Sequence, residues 1–214
     1  MRTAALVSAF LICICANAQE FRSTLDGRIT DAVGAAVSGA KVEIKNADTG
    51  ESIVTVSNDD GAYRAAFLIP GGFGTRQELN NGRLHTFIRA LPDKTLLVSV
   101  CTGSWIYGRM GLLDGRMATN RKEPDRLESS NMGKVPIDRL AQIAPACRIS
   151  RARVVDSGRI ITGGGIASGM EVGFHLLRRA GYGEDFITEV ARIMEYAAAY
   201  EIYRGDIAYD QRAA

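Results

Sequence analysis

Residues Thr95 to Val100 form an almost unbroken apolar run, as expected of a strand inside a parallel sheet covered on both faces. The run leads straight into Cys101-Thr102-Gly103-Ser104. In a nucleophile elbow the chain turns sharply from strand to helix, so the residues two before and two after the nucleophile must be small. Ser99 and Gly103 meet that demand. The turn would leave the Cys101 thiol at a helix N-terminus, where the partial positive charge favours thiolate. The same string also suits a buried structural cysteine at a strand end, since unpaired cysteine is commonly buried. The motif alone leaves both readings open.

The flanking residues predict α/β architecture. Ile69-Pro70-Gly71-Gly72-Phe73-Gly74 reads as a loop, and Thr75-Arg76-Gln77-Glu78 has capping-box form, with Thr75 as N-cap and Glu78 reaching back. Leu79, Leu84, Phe87, Ile88 and Leu91 give the next helix an apolar side, with Asn81-Gly82 as a point of interruption. Arg151–Asp156 and Arg159–Thr162 flank Ser157-Gly158 as a hairpin. Gly163-Gly164-Gly165 then opens a helix whose predicted core stripe is Ile166, Met170, Phe174 and Leu177. A second helix is predicted over Glu184–Tyr200, with Phe186, Val190, Ile193, Met194 and Ala197 in helical period. The triple glycine lacks the full phosphate-loop and dinucleotide patterns, and close packing at a strand-to-helix turn explains it better.

Residues Phe21 to Phe67 differ: short alternating strands are punctuated by turns, with no helical period. Leu25–Thr30, Lys41–Lys45 and Ile53–Val56 read as strands, and a further strand opens at Tyr63. Asn58-Asp59-Asp60-Gly61 is a strong turn, with Gly61 able to take positive φ. Ahead of them, Met1-Arg2, the apolar run Ala4–Ala16 and Ala16-Asn17-Ala18 follow the order of a secretory signal. The run is shorter than the roughly 20 residues a spanning helix needs, so no stable membrane span is expected. Cleavage after Ala18 would remove Cys13 and Cys15, leave Cys101 and Cys147, and direct the protein to the periplasm or outside the cell.

Lys+Arg 26 against Asp+Glu 24 is too balanced for an electrostatic nucleic-acid binder. No cysteine or histidine pair has metal-ligand spacing, so neither metal nor other cofactor is expected. A small-molecule substrate and homo-oligomerisation are both compatible with the chain.

Two resemblances organise these pieces. Gly27-Arg28-Ile29-Thr30-Asp31, Gly39-Ala40-Lys41-Val42, Thr49-Gly50 and Asp60-Gly61-Ala62-Tyr63 make residues 21–70 similar to the carboxypeptidase regulatory-like domain. That domain is a small β-sandwich often found ahead of TonB-dependent receptors, and the last strand that the family carries after its Pro-Gly has no counterpart after Pro70-Gly71. Residues 68–214 resemble the ThiJ/PfpI family of the class I glutamine-amidotransferase-like superfamily, near isonitrile hydratases. This second resemblance is carried by Pro70–Arg76, Ser99–Gly103, Gly111–Thr119, Gly158–Gly165 and Met194-Glu195-Tyr196. The expected fold is mixed: an incomplete β-sandwich followed by an incomplete α/β flavodoxin-like three-layer domain. The expected domains are a signal peptide (1–18), a sandwich module (19–70) and a ThiJ/PfpI-like domain (71–214).

The second resemblance implies that Cys101 is a nucleophile for adding water to, or hydrolysing, a small carbon–nitrogen substrate. It also implies oxyanion donors on the backbone of Gly71, Gly72 and Thr102. The segment that carries the family's acidic partner of the cysteine is replaced here by the β-module, so impaired activity is expected. Glu123, Asp125 and Glu128 are substitutes for that acid, although a solvated charged loop explains them more simply. His85 and His175 fall on predicted helices away from the elbow. Two alternatives remain: an exported, non-catalytic interaction protein, or a fusion product without evolved function.

Overall fold

A computed structural model describes residues 27–45, 52–57, 60–63, 66–91, 93, 95–124 and 135–212. The signal-like residues 1–18, and Asp125 and Glu128, lie outside the described residues.

The apolar run forms strand β6 (Leu96–Val100), the second strand of a five-stranded sheet. Its side chains alternate between two cores: Leu97 packs with Trp105, Ile106, Tyr107 and Leu140, whereas Leu96 and Val98 pack with Val172, Phe174, Ile187 and Tyr200. A strand buried on both faces draws apolar residues to both, and Ser99 is the one polar residue of β6. Helices α2 (Gly82–Ala90), α3 (Ser104–Arg109) and α4 (Pro136–Ile143) cover one face. Helices α5 (Ser168–Arg179), α6 (Glu184–Ile193) and α7 (Ala197–Arg204) cover the other.

The expected hairpin is strands β9 (Val154–Ser157) and β10 (Ile160–Gly163), antiparallel with Ile161 opposite Asp156. Strand β10 runs parallel to β6, and β9 runs parallel to β11 (Ile207–Tyr209). The remaining edge is β5 (Ala66–Ile69), parallel to β6 with Leu68 opposite Val98. Ala66–Ile69, read from sequence as the end of the first module, thus supplies a strand of the larger sheet. Phe67 and Ile69 are buried in the same core as Trp105 and Tyr107.

The remaining strands of the first half form separate two-stranded ladders. β1 (Gly27–Arg28) pairs with β4 (Ala62–Tyr63), and β2 (Lys41–Lys45) pairs with β3 (Ser52–Val56), both antiparallel. Gly61 adopts positive φ, and a Cβ there would lie 2.3 Å from the carbonyl oxygen of Ile29.

Three helix expectations need correction. The first helix, α1 (Gly74–Glu78), has Phe73 rather than Thr75 as its N-cap and no side-chain capping bond, because the Thr75 hydroxyl is buried and donates to the carbonyl of Gly72 at 2.7 Å. Asn81 does interrupt the apolar stripe, capping α2 by accepting from the backbone N–H groups of Arg83 and Leu84. Ile166 lies ahead of α5 and is exposed, as is Met170 on it, and the buried face of α5 carries Ser168, Glu171, Val172 and His175 beside Phe174. The segment 184–200 breaks into α6 and α7 at Glu195, which has φ +55°. On α6 the buried residues are Ile187 and Ala191, while Phe186, Ile193 and Met194 face solvent.

Candidate active site

Cys101 follows the last residue of β6 and adopts φ +55°, one of two non-glycine residues with positive φ among those described. For a residue with a Cβ this left-handed conformation costs about 1–2 kcal/mol, so the surrounding packing has to hold it. A short 3₁₀ turn, Cys101–Gly103, runs directly into α3. This is the strand–turn–helix course that Ser99 and Gly103 predict.

The packing that holds the turn comes from the chain at the end of β5. A Cβ on Gly71 would lie 2.6 Å from Cys101 Cβ, 3.0 Å from its sulfur and 3.0 Å from the backbone nitrogen of Thr102. Glycine is therefore the residue that lets the 70–72 loop close over the thiol. Thr102 is buried, and its hydroxyl accepts from the Gly72 N–H at 3.1 Å and lies 3.0 Å from the Thr75 hydroxyl. Of the three backbone positions expected around an oxyanion, Gly71 and Thr102 border the sulfur, and the Gly72 N–H points at the Thr102 hydroxyl. Behind the elbow, the Ser104 hydroxyl accepts from Asn120 Nδ2 at 2.8 Å, tying the buried loop after β7 (Met117–Ala118), which pairs in parallel with β8 (Arg148–Ile149), to the start of α3.

Cys101 lines a cavity of about 510 Å³ that opens to solvent. Leu68, Val100, Phe73 and Ile166 form apolar walls, and Arg76 and Arg121 also line it. No aspartate or glutamate is among its lining residues as described. Glu123 is exposed on the loop beyond Arg121 and does not line the cavity. His85 lies on α2 outside the lining, and His175 is fully buried, with Nε2 2.7 Å from Asp156 Oδ2. Burial alone would raise the Asp156 carboxyl, but the His175 hydrogen bond and Arg179 together hold it below its usual value. Cys147 sits in the core under α4, where burial pushes its thiol up to about 11.

Sequence reasoning missed the two arginines. Arg76 ends the Pro70–Arg76 string, and Arg121 stands two residues before Glu123. The triple glycine is a packing feature at its first residue, where a Cβ on Gly163 would meet Val172 Cγ2 at 2.7 Å. At Gly164 a Cβ would meet Lys122 Nζ at 2.5 Å, and that ammonium donates to the carbonyl of Ala152.

The architecture matches a ThiJ/PfpI family protein from Pseudomonas syringae, with TM-score 0.50 and 23% identity over 76% of this chain and 62% of that one. The α/β part has the ThiJ/PfpI fold. Schizosaccharomyces pombe DJ-1 aligns at TM-score 0.44 and 17% identity, over 59% of this chain and 60% of its own. In sequence, the chain is 30% identical over 146 residues to isonitrile hydratase of Pseudomonas putida, covering 68% of this chain and 58% of the hydratase. The chain thus spans less than two thirds of the length of each of these three relatives. Residues 24–76 match the family model of the carboxypeptidase regulatory-like domain, a match that runs through β5 and α1 into the ThiJ/PfpI-like sheet and the cavity wall.

Proposed function

We propose that the ThiJ/PfpI-fold part is a cysteine-nucleophile domain of isonitrile-hydratase type, acting weakly on small carbon–nitrogen substrates. The observation that carries this reading is Cys101 itself, held at positive φ where β6 turns into α3 and lining, beside Gly71, a cavity that opens to solvent. The thiolate would add to the electrophilic carbon, with the backbone N–H groups of Gly71 and Thr102 near the sulfur to meet developing negative charge. Water would then release the product and regenerate the thiol. A proton has to move in both steps, and no carboxyl group is among the described lining residues, which supports low turnover. The experiment is to incubate the full chain with a small isonitrile and quantify the formamide produced. Slow formation that Cys101→Ala abolishes supports the reading, and formamide at an equal rate in wild type and variant would overturn it.

The carboxypeptidase regulatory-like match favours a second reading, that the chain works at the cell envelope or outside the cell and that its first half makes protein contacts. Mass spectrometry of the protein exported from its bacterial host should then find Gln19 at the N-terminus. Intact Met1 confined to the cytosol would contradict it.

A further inference from the structure

Gly72, Thr75 and Thr102 close a ring of hydrogen bonds beside Cys101. The Gly72 N–H donates to Thr102 Oγ1 at 3.1 Å, and the Thr75 hydroxyl donates to the Gly72 carbonyl at 2.7 Å. The two hydroxyl oxygens lie 3.0 Å apart. Each hydroxyl has a single proton to give. Thr75 spends its own on the Gly72 carbonyl, so Thr102 donates across the gap between the hydroxyls. The opposite order would send the Thr102 proton to the Gly72 carbonyl over 3.4 Å, a far weaker bond than the one at 2.7 Å. Arg76 Nη1 adds a second donor to that carbonyl at 3.0 Å. Both threonines are buried, so water does not compete for the ring, and hydrogen bonds linked in this way polarise one another.

The ring explains why Thr75 does not cap α1, and it decides which donors the site has. The Gly72 N–H and the Thr102 hydroxyl proton both belong to the ring, so neither is aimed at a substrate. Gly72 sits at φ +129°, a conformation that L side chains rarely adopt. Its neighbour Gly71 packs against the sulfur and the Thr102 nitrogen, so holding Gly72 also holds Gly71 on the elbow. We propose that Thr75 is a positioning residue for the Cys101 site. Its hydroxyl closes the ring that fixes the 70–72 loop, which keeps the Gly71 and Thr102 N–H groups in place to meet developing negative charge. Thr75 is not among the residues lining the cavity and acts through Thr102 and Gly72. The inference rests on the nucleophile reading of Cys101.

Two reagents separate support of an oxyanion from access to the thiol. With p-nitrophenyl acetate, the Cys101 thiolate bonds to the carbonyl carbon and negative charge gathers on the carbonyl oxygen. The carbon–oxygen bond to the leaving group then breaks, and p-nitrophenolate departs with the bonding pair. With iodoacetamide a carbon–sulfur bond forms as the carbon–iodine bond breaks, iodide leaves with the bonding pair, and no oxyanion develops. Both rates are read on the peptide containing Cys101, so their ratio cancels changes in thiolate fraction and access. Thr75→Val should lower the acetylation-to-alkylation ratio about fivefold, the rate equivalent of one net hydrogen bond. Thr75→Ser, which restores the hydroxyl, should stay near wild type, and Thr75→Ala replaces the valine variant if that chain does not fold. Asp210→Asn is the control for lost stability, since Asp210 follows β11 at the opposite edge of the sheet from β5, and it should leave the ratio unchanged. An unchanged ratio in folded Thr75→Val, with both reagents labelling Cys101, would overturn the positioning role and leave the nucleophile reading intact. An equal fall in Thr75→Ser or in Asp210→Asn would also overturn it, because the hydroxyl would then not be the cause. A wild-type Cys101 that neither reagent labels in the folded chain would defeat the nucleophile reading and the positioning role with it.

Discussion

Gly103 packs so closely against Ile69 that a Cβ built on it would lie 2.2 Å from the Ile69 carbonyl oxygen. Gly103 has φ −56°, so the demand for glycine comes from this approach and not from backbone conformation. The need for a small residue two positions after the nucleophile thus has a local cause: the end of β5 lies directly over the elbow. Gly103→Ala should cost about 1–3 kcal/mol of stability, the usual range for overpacking. Gly173 is the control, since it is exposed on α5 and a Cβ there meets nothing within 4 Å. Gly173→Ala should raise stability by up to about 1 kcal/mol, the helix-propensity difference. Denaturant titration of both variants checks the contrast.

Tyr107 fastens α3 to the two strands beneath it. Its buried hydroxyl lies 3.1 Å from the carbonyl of Phe67 on β5 and 3.0 Å from that of Val98 on β6, and burial raises its pKa well above the usual tyrosine value. Tyr107→Phe should cost about 1 kcal/mol, the typical net worth of one hydrogen bond, and lower the melting temperature accordingly. An unchanged melting temperature would mean that β5 is not docked as described.

Asp210, just after β11, is tied to Met117 on β7 and to Arg148. Its carboxylate accepts from the Met117 N–H at 2.7 Å and pairs with Arg148. Burial would raise this carboxyl, but Arg148 and the N–H groups of Met117 and Arg212 hold it at about 2. A carboxyl depressed in the folded state adds stability above its unfolded pKa and loses it as pH falls through the folded value. Asp210→Asn should therefore lower the melting temperature at pH 7. The gap from wild type should shrink as pH falls from about 4 towards 2, as thermal melts across that range would show.

The sequence made the elbow and the hairpin legible because each is defined by neighbours in the chain: an apolar run, small residues at set spacing, a Ser157-Gly158 turn. The role of Ala66–Ile69 was not legible, since four residues with alternating burial suit an antiparallel edge as well as a parallel one. The buried face of α5 was misread for a different reason. Glu171 and His175 are core residues only because Arg153 and Asp156, from the hairpin region, pair with them. Such pairings link residues far apart in sequence, and helical periodicity favours Ile166 and Met170 instead. Arg76 and Arg121 meet at the cavity by the same long-range folding, so neither stood out as a site residue.

The most direct measurement is pulse alkylation by iodoacetamide of the two described cysteines in the folded, reduced chain across pH. Cys101 borders an open cavity, whereas Cys147 is in the core and pushed up to about 11. Cys101 should be labelled at neutral pH, and Cys147 only as the solution becomes strongly alkaline or the chain unfolds. Equal labelling of both at every pH, or labelling of Cys147 first, would contradict the assignment of Cys101 as the nucleophile of this fold.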